Sequence, residues 1–489
     1  MLDFKFPSSH LLGQLRTQKK RWEGKFQLNF LALLSFLVIS IIVIPPVNAA
    51  EAVSDTPIVD SLTPLANDTE QWSIHAQSTY ISQWKNNFNS PYYGEKSMLN
   101  KTEGDIGRSY TFSATVFLGA RLWEGAEVYY NPEMFEGLPF SNFSGLGGFT
   151  NGELQKGTTV PPAYYTARAF IRQTFGLGGG QEHIEGEANQ LAGNVDKNRL
   201  VLSYGKFAAL DFFDANTYSR DPRTQFLNYA IMSSGAYSFA ADNKGYTYGV
   251  VAEWYQGDWV TRAARFAMPT QPNTMQLDYS MKQDYGNQVE ITRAHTIGDQ
   301  EGKIRALWFQ THAFMANYQN AIKQGYETNT VPSIYNARQA NQTSWGYGLN
   351  AEQALSKEIG IFARWSWNNG QTETQTYDIS KSLSGGVSVN GAIWNRKEDT
   401  FGLAFAVNGI SASEINYLQL KASTMFIGDG ALKYKQEQIL ETYYSFNIYK
   451  GIYLTADYQR IANPAYNAAR GPVNFFGLRA HAELWSNYS

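Results

Sequence analysis

Side chains capable of recognition chemistry are most concentrated between positions 211 and 228. Three aromatic rings, Phe212, Phe213 and Phe226, lie there among hydrogen-bond donors and acceptors. The polar side chains of this segment that could contact a solute are Asp211, Asp214, Asn216, Tyr218, Asp221, Arg223, Gln225 and Asn228. Because a carbohydrate presents hydroxyl groups beside apolar C–H faces, aromatic planes next to such groups could bind it. The alternative is an extracellular loop whose ion pairs only fix its own shape.

Residues that could catalyse a reaction or hold a metal ion form no recognisable motif. The six histidines are scattered and never show the His-Glu-x-x-His spacing of a zinc protease. His183-Ile-Glu-Gly-Glu lacks a second histidine at helical distance, and no Gly-x-Ser-x-Gly elbow or phosphate loop is present. Carboxylate pairs occur, but 43 acidic residues produce such pairs by chance. We therefore expect neither enzymatic activity nor a bound cofactor or metal.

The elements that position these side chains are predicted to be long strands with two unlike faces. Between residues 437 and 459, two strands of about ten residues are joined by a turn at Lys450-Gly451. An apolar face, which includes Leu440 and Phe446, alternates with a polar face that includes Glu441. A wall with lipid outside and water inside needs this alternation, so it indicates a transmembrane β-barrel.

The spacing of turns and loops predicts that this barrel is antiparallel and closed. Tight turns are predicted at residues 123–125, 256–258, 356–358 and 450–451. Long Gly-, Asn- and Pro-rich stretches lie between the hairpins, at residues 132–164, 207–245, 268–287, 318–345 and 370–398. Short turns alternating with long loops are typical of outer-membrane barrels, and one strand with its connection per ~25 residues gives about 16 strands. The alternating segment at residues 473–485 is predicted to close the barrel onto the first strand.

The N-terminal region is predicted to be a cleaved export signal at residues 1–49. A basic segment precedes the apolar run 30–44, and Val47-Asn48-Ala49 fits the small-residue cleavage rule. An uncleaved membrane anchor is the alternative. We expect residues 50–71 to form a polar linker and residues 72–485 to form the barrel domain.

The composition suits an exported barrel that does not bind nucleic acid. Residues 1–50 contain six basic and two acidic residues, so the remainder contains 34 basic and 41 acidic residues and has a net charge of −7. Nucleic-acid binding would call for a basic face. The chain has no cysteine but has 31 Tyr and 29 Phe, and aromatic rings mark both interfaces of a membrane barrel. A secreted sugar-binding β-protein or a glycosidase could share this composition.

Charged residues on the predicted strands are expected to point into the lumen, because a charge facing lipid costs about 2–4 kcal/mol at mid-membrane. The inward set comprises the candidate pore-lining residues Arg121, Glu127, Arg265, Glu290 and Arg364, together with Glu253, Glu352, Glu441, Asp457 and Arg479. Most of these charges could be structural pairs. Since Arg262 and Arg265 have opposite parity, one of them is expected at an interface or beside a bulge. Trp394, in a long predicted loop, could stack on a sugar or pack within the loop.

Several longer sequence blocks carry a family resemblance. They are Gly148-Phe-Thr-Asn-Gly-Glu, Tyr204-Gly-Lys-Phe, Asp211-Phe-Phe-Asp-Ala-Asn, Asp221-Pro-Arg-Thr-Gln-Phe-Leu-Asn, Ser382-Leu-Ser-Gly-Gly-Val-Ser, Asp399-Thr-Phe-Gly-Leu-Ala, Gly428-Asp-Gly, Glu437-Gln-Ile-Leu-Glu-Thr-Tyr-Tyr, Asn463-Pro-Ala-Tyr-Asn and Arg470-Gly-Pro-Val. In this order the blocks, within residues 72–484, resemble the OprB-type carbohydrate-selective porins. The resemblance implies an all-β outer-membrane barrel of about 16 strands, with inward-folded loops that narrow a sugar-conducting lumen. Family chains commonly end in phenylalanine, where this chain has Leu484 and five further residues.

These observations predict an outer-membrane porin for passive, carbohydrate-selective diffusion of glucose-like monosaccharides and disaccharides. The expected partners are sugars, outer-membrane lipid and the barrel-assembly machinery, with a homotrimer as a further expectation and no nucleic acid. Three alternatives remain open at this point. They are a non-selective general diffusion porin, an outer-membrane barrel enzyme and a secreted sugar-binding β-protein.

Overall fold

The computed structural model describes residues 69–488, with side chains described as far as residue 484. The predicted signal peptide and residues 50–68 of the predicted linker lie outside the described residues. The described strands are β1 Trp72–Lys85, β2 Arg108–Trp123, β3 Ala126–Leu138, β4 Thr159–Gly176, β5 Gln181–Ile184, β6 Gly193–Asp196, β7 Arg199–Phe207, β8 Thr247–Gln256, β9 Trp259–Ala267, β10 Tyr285–Ile297, β11 Gln300–Ala316, β12 Arg338–Ala354, β13 Ile359–Asn368, β14 Lys381–Asn390, β15 Thr400–Gly409, β16 Glu437–Tyr449, β17 Ile452–Ala462 and β18 Val473–Tyr488.

Within these residues, a closed antiparallel barrel contains all the strands except β5 and β6, which pair with each other. The barrel therefore has 16 strands, as predicted. The closure joins β18 to β1, with Leu484 opposite Ala76 and Arg479 opposite Ile81. Every barrel strand thus has two hydrogen-bonded neighbours, so the barrel itself has no unpaired edge.

The alternation that predicted the barrel is present along the strands. In β2, the Val116 side chain is 38% exposed on the outer face, whereas the neighbouring Thr115 is 1% exposed on the inner face. In β16, Leu440 and Phe446 face outward and Glu441 is buried inside. A shift of one residue would reverse both faces, so the alternation fixes the register.

The two ends of the barrel differ in the length of their connections. At one end, which we call the turn end, short connections include residues 124–125, 257–258 and 450–451. The opposite end, which we call the loop end, carries the long connections, residues 86–107, 139–158, 208–246, 268–284, 317–337, 369–380, 410–436 and 463–472. In outer-membrane barrels the short turns face the periplasm and the long loops face the exterior.

Several of the predicted loops are partly strand, since 132–164 overlaps β3 and β4, and 268–287 includes the first residues of β10. The stretch 370–398 contains β14, and the stretch 318–345 includes the first residues of β12. In β14 the segment Ser382-Leu-Ser-Gly-Gly offers almost no side-chain contrast between its faces, which hides the strand pattern. Its backbone nevertheless pairs with β13 on one side and β15 on the other.

Short helices occur within the loop-end connections. They are α1 Tyr229–Met232, α2 Tyr318–Thr328, α3 Ile334–Ala337 and α4 Ala412–Gln419. The Asn317 side chain caps α2 by accepting from the Gln319 amide at 2.9 Å, and Ser411 caps α4 by accepting from the Glu414 amide at 3.1 Å. Among residues 69–488, no helix has the length and apolar character needed to cross a membrane.

The apolar core lies in the interior of the barrel. It is built largely from the connection 208–246, whose side chains Phe213, Phe226, Tyr229 and Tyr237 are fully buried. Phe226 meets the ring of Tyr443 from β16 edge-on at 4.9 Å between centroids. The inward-folded loop that the family resemblance implies is therefore present, and it packs against the inner wall.

Candidate functional site

The connection 208–246, which we call the inner loop, is attached to the barrel wall by buried polar contacts. The Asp214 carboxylate accepts from Arg364 Nε of β13 at 3.2 Å and from Asn350 Nδ2 of β12 at 2.8 Å. The Asp214 amide donates to the Glu290 carboxylate of β10 at 2.8 Å. These contacts use two of the predicted lumen charges, Glu290 and Arg364, as anchors for the loop.

The next residues of the inner loop are held by β12. Asn216 donates to the Asn350 side chain at 2.8 Å, and the Thr217 amide donates to Glu352 at 2.8 Å. Glu352 is also paired with Arg305 of β11 at 3.2 Å. A wall carboxylate and a wall amide therefore fix the start of the loop tip, which spans residues 217–225.

The far side of the tip is held by the last strands of the barrel. The two oxygens of Glu441 accept from the amides of Leu227 and Asn228 at 2.5 and 3.0 Å. The Asn228 side chain donates to Gln459 of β17 at 3.0 Å. Arg479 of β18 donates to the carbonyls of Pro222, Thr224 and Gln225, at 2.9, 2.9 and 2.6 Å.

The opposite wall is joined to the inner loop by ion pairs. Arg168 of β4 forms a two-bond pair with Asp211, at 2.7 and 2.6 Å. Burial alone would raise the pKa of the Asp211 carboxyl. The charge and hydrogen bonds of Arg168, together with the bond from the Ala208 amide, outweigh burial, so the pKa lies below its ordinary value. Arg223 bonds Glu133 of β3 at 2.9 Å and Glu153 of the neighbouring loop at 3.1 Å.

The inner loop thus spans the lumen from β3 and β4 to β18, and a cavity of about 430 Å³ lies below its tip towards the turn end. Tyr218, Arg223 and Gln225 line the cavity from the loop, and Tyr443, Tyr453 and His481 line it from the wall. Charged side chains of both signs border it at the turn end, namely Lys357, Glu358, Lys397, Glu398 and Glu483. This cavity combines aromatic rings with hydrogen-bonding groups in one water-accessible space.

Within the tip, the predicted polar residues have unequal roles. Gln225 accepts from the amides of Arg220 and Asp221 and donates to the Thr217 carbonyl, so it holds the tip in shape. The Asp221 side chain is exposed and accepts only a local bond, from the Arg223 amide at 2.9 Å. Tyr218 is half-buried at the cavity wall and lies directly over Gly360 of β13, where an added Cβ atom would meet its ring at 2.0 Å. Only glycine at position 360 leaves room for that ring.

Arg121 and Glu127 point inward near the turn end, where they form an ion pair at 3.2 Å. Glu127 also faces Arg172 of β4 at 3.6 Å. Farther round the wall, Arg262 pairs with Glu253 at 2.8 Å and with Glu290 at 3.4 Å. The inward charges thus alternate in sign and pair across neighbouring strands.

The prediction that Arg265 points into the lumen is wrong. Arg265 lies opposite Asn287 on the outer face of the barrel, where its guanidinium stacks on the Tyr285 ring at 3.7 Å and bonds Asn287 at 3.2 Å. It also donates to the Met281 carbonyl of the adjoining loop at 2.6 Å. The inward arginine of this strand is Arg262, whose pairing with Glu253 and Glu290 fixes the parity. Arg265 avoids exposure to lipid because its position is near the loop end.

The prediction that Trp394 belongs to a long loop is also wrong. It lies in the connection 391–399 at the turn end, because β14 occupies much of the stretch predicted as loop. Its indole nitrogen donates to the Tyr444 hydroxyl at 2.8 Å, and Tyr444 belongs to the outward set of β16. Trp394 therefore packs at the rim and does not line the cavity.

The cavity residues Tyr443, Tyr453 and His481 were not among the candidates from sequence. Their inward parity is visible in the strand pattern, and that signal could have identified them as wall residues. What parity cannot show is which inward positions the inner loop leaves uncovered. Within the described part of the chain, no three side chains of His, Cys, Asp or Glu converge to hold a metal ion.

Comparisons with known proteins agree with this architecture. A family model described as "Carbohydrate-selective porin, OprB family" matches residues 109–484. Porin AaxA of Chlamydia abortus is 22% identical over 58% of this chain and 54% of its own length, and Porin AaxA of Chlamydia muridarum is 23% identical over 56% and 55%. The chain therefore spans about half the length of the curated relatives it matches.

A solved structure shares the fold. The high-pH structure of Pseudomonas putida OprB has a TM-score of 0.63 at 13% identity, covering 85% of this chain and 94% of that one. At this low identity, the structural likeness shows that the two proteins share a fold and nothing more. The family model, in contrast, matches most of the sequence. The chain therefore belongs to the OprB family of carbohydrate-selective porins, a family of outer-membrane channels and not of enzymes.

Proposed function

We propose that this porin allows passive diffusion of small neutral sugars, glucose-like monosaccharides and disaccharides, through the cavity below the inner loop. The observation that carries the proposal is the lining of that cavity, where Tyr218, Tyr443 and Tyr453 stand among amide and charged groups. Tyrosine rings offer planes for the C–H faces of a sugar, and the surrounding groups offer donors and acceptors for its hydroxyls.

The pairing of the wall charges favours a neutral solute over an ion. Arg364 with Asp214, Arg305 with Glu352 and Arg262 with Glu253 are all within 3.2 Å, so little uncompensated charge is left to attract one sign of ion. Hydrogen bonds to a sugar come instead from polar groups that line the cavity, such as those of Thr217, Gln225 and Ser388. A sugar can therefore exchange its water shell for wall contacts and leave again, as conduction requires.

The anchoring of the inner loop favours selective over general diffusion. Its tip is held from both sides of the barrel, by Arg223 with Glu133 and by Arg479 with the carbonyls of Pro222 and Gln225. A tip fixed in this way keeps the lumen narrow at the level of the cavity. Passage then depends on the fit of the solute to the lining groups.

The experiment is uptake by liposomes that contain the purified porin. Glucose and a glucose disaccharide should enter faster than glutamate or lysine, whose charges the paired wall does not favour. Tyr218→Leu should slow the uptake of glucose relative to glycerol, whereas the control Trp394→Leu, at the rim outside the cavity, should leave the ratio unchanged. Equal uptake of sugars and charged solutes of similar size would instead indicate a general diffusion porin.

The outer face of the barrel indicates what surrounds it. Apolar side chains such as Leu118, Leu403 and Phe405 are exposed on its outer face, and we infer that outer-membrane lipid covers them. Insertion by the barrel-assembly machinery and assembly into a homotrimer stay predictions.

A further inference from the structure

The connection between β4 and β7 is unlike the others at the turn end. It runs from residue 177 to residue 198 and contains the hairpin β5–β6, whereas the connections 124–125, 257–258 and 450–451 are tight turns. Its first and last residues continue the β4–β7 ladder, since the Leu177 amide donates to the Asn198 carbonyl at 2.9 Å. The intervening residues are therefore an insertion that barrel closure does not need.

The part of this insertion at residues 187–192, which we call the return segment, folds against the inner wall. The Leu191 amide donates to the hydroxyl of Tyr129, an inward residue of β3, at 3.1 Å. Arg172 of β4 donates to the Asn189 carbonyl at 3.1 Å, and Arg121 of β2 donates to the Ala192 carbonyl at 3.3 Å. Two lumen arginines are thus occupied by backbone oxygens of a periplasmic segment.

The return segment is also fixed to the start of the barrel. The Glu70 amide donates to the Ala192 carbonyl at 3.0 Å, and the Ala192 amide donates to the Glu70 carboxylate at 2.8 Å. Leu191 is buried in the interior core, and residues Glu187 and Gln190 exchange backbone bonds at 2.9 and 3.0 Å. Contacts with the inner wall and with Glu70 at the start of the barrel hold this segment in one position.

The return segment and the cavity occupy different sectors of the turn end. The segment bonds β2, β3 and β4, whereas the charged border of the cavity, which includes Lys357, Lys397 and Glu483, belongs to β18 and to connections among β12–β15. No residue of the return segment lines the cavity.

We propose that the return segment is a second constriction, at the periplasmic mouth, which closes the β2–β4 sector and withholds Arg121 and Arg172 from permeating ions. It sets the exit width and the ion preference separately from the inner loop. This inference rests on the proposed function only in that the barrel must conduct.

The first experiment removes the insertion and keeps the barrel. Residues 178–197 are replaced by Asn-Gly, which suits a two-residue turn between the paired residues Leu177 and Asn198. In planar bilayers the variant should have a larger single-channel conductance, and its reversal potential in a salt gradient should shift towards anion selectivity. The shift is expected because the deletion removes four acidic residues and one lysine, a net charge of −3, and also takes the carbonyl acceptors away from Arg121 and Arg172. The conductance decides between the two readings, because a purely structural insertion would leave the conductance of a folded barrel unchanged.

The second experiment leaves the fold unaltered and tests sidedness. The chain has no cysteine, so Ala188→Cys in the return segment gives one reactive thiol, and Glu185→Cys on the exposed part of the insertion gives its control. Sulfonatoethyl methanethiosulfonate added on the turn side should lower the conductance of the Ala188→Cys channel and leave that of the Glu185→Cys channel unchanged.

The outcomes separate the two claims. A wild-type barrel that conducts ions but does not discriminate between sugars and charged solutes would contradict the proposed function alone. Unchanged conductance and ion selectivity after replacement of the insertion, together with no effect of labelling at position 188, would overturn the second constriction alone.

Discussion

Arg364 and Asp214 form a buried ion pair that joins the barrel wall to the inner loop, at 3.2 Å and with side chains 1% and 2% exposed. The same guanidinium donates to the carbonyls of Ser219 and Ile231, at 2.5 and 2.9 Å. A single residue of β13 therefore holds three separated points of the loop. The loop keeps its course inside the lumen because its backbone oxygens find donors on the wall.

Arg364→Met is expected to detach the inner loop. The change leaves the Asp214 carboxylate buried without its cation, which costs about 3–5 kcal/mol when one partner of a buried pair is removed. Single-channel conductance should rise and become noisier, and limited proteolysis should cut within residues 208–246. The control is Lys323→Met, which breaks the exposed pair with Glu327 and should have an effect within about 1 kcal/mol. A resistant loop in the Arg364 variant would contradict the anchoring role.

Arg223→Gln should widen the constriction more than Asp221→Asn. Arg223 reaches Glu133 and Glu153, whereas the Asp221 side chain makes one local bond and is exposed. Uptake of a trisaccharide relative to glucose, measured in liposomes, should increase for the Arg223 variant and stay near the wild-type ratio for the Asp221 variant. Equal behaviour of the two variants would move the control of pore size away from the Arg223 pairs.

Leu403→Arg should impair barrel folding, whereas Ser388→Arg should not. Leu403 is exposed on the outer face of β15, and a mid-membrane arginine there costs about 2–4 kcal/mol. Ser388 of β14 lines the cavity, where water can solvate the new charge. Heat-modifiable mobility in gels reports the folded fraction, and the Ser388 variant should show reduced conductance. Similar folded fractions for both variants would contradict the assignment of the faces.

The packing of the loop-end connections should weaken as pH rises. Burial, with a smaller contribution from Glu373, raises the pKa of the Asp378 carboxyl to about 6, and the pKa of Glu414 in α4 is raised as well by burial and by Asp378. A carboxyl with a raised pKa stabilises the docked form below its undocked pKa, at about pH 4, and that contribution is lost as pH rises through about 6. Asp378 accepts from Thr424 at 2.6 Å, which links the connections 369–380 and 410–436.

Proteolysis of these connections on the folded barrel measures the effect. Cleavage should be faster at about pH 8 than at about pH 5 after correction for protease activity, and Asp378→Asn should reduce the difference. Asp378→Asn with Glu414→Gln should remove most of it. A pH-independent cleavage rate in the wild-type protein would contradict this prediction.

Sequence periodicity predicted the barrel because each strand repeats the same physical contrast. The faces of β2 and β16 alternate so regularly that the register of Val116 and Glu441 follows from parity alone. The β14 strand escaped detection since its serines and glycines differ little between the two faces. Arg265 was misplaced for a related reason, because near the end of a strand an outward charge can avoid lipid by bonding Asn287 and a loop carbonyl.

The candidate site was predictable in its main segment and not in its geometry. The richness of residues 211–228 in donors, acceptors and rings identified the inner loop. Which of these groups face the cavity depends on long-range contacts, such as that between Asn216 and Asn350, which no local pattern encodes. Many of the predicted lumen charges therefore turned out to hold the loop, as Asp214 and Glu290 do.

The bond between Asn228 and Gln459 has a consequence for biogenesis. The two residues are 231 positions apart, and Gln459 belongs to one of the last strands to be made. Several anchors of the inner loop, those from Glu441, Gln459 and Arg479, do not exist until the C-terminal strands have joined the wall. During synthesis and export, the inner loop cannot reach its final position before these strands are in place. Its docking therefore follows completion of the closed wall. A defect in the last hairpin would thus leave the inner loop without these anchors as well as leaving the wall unclosed.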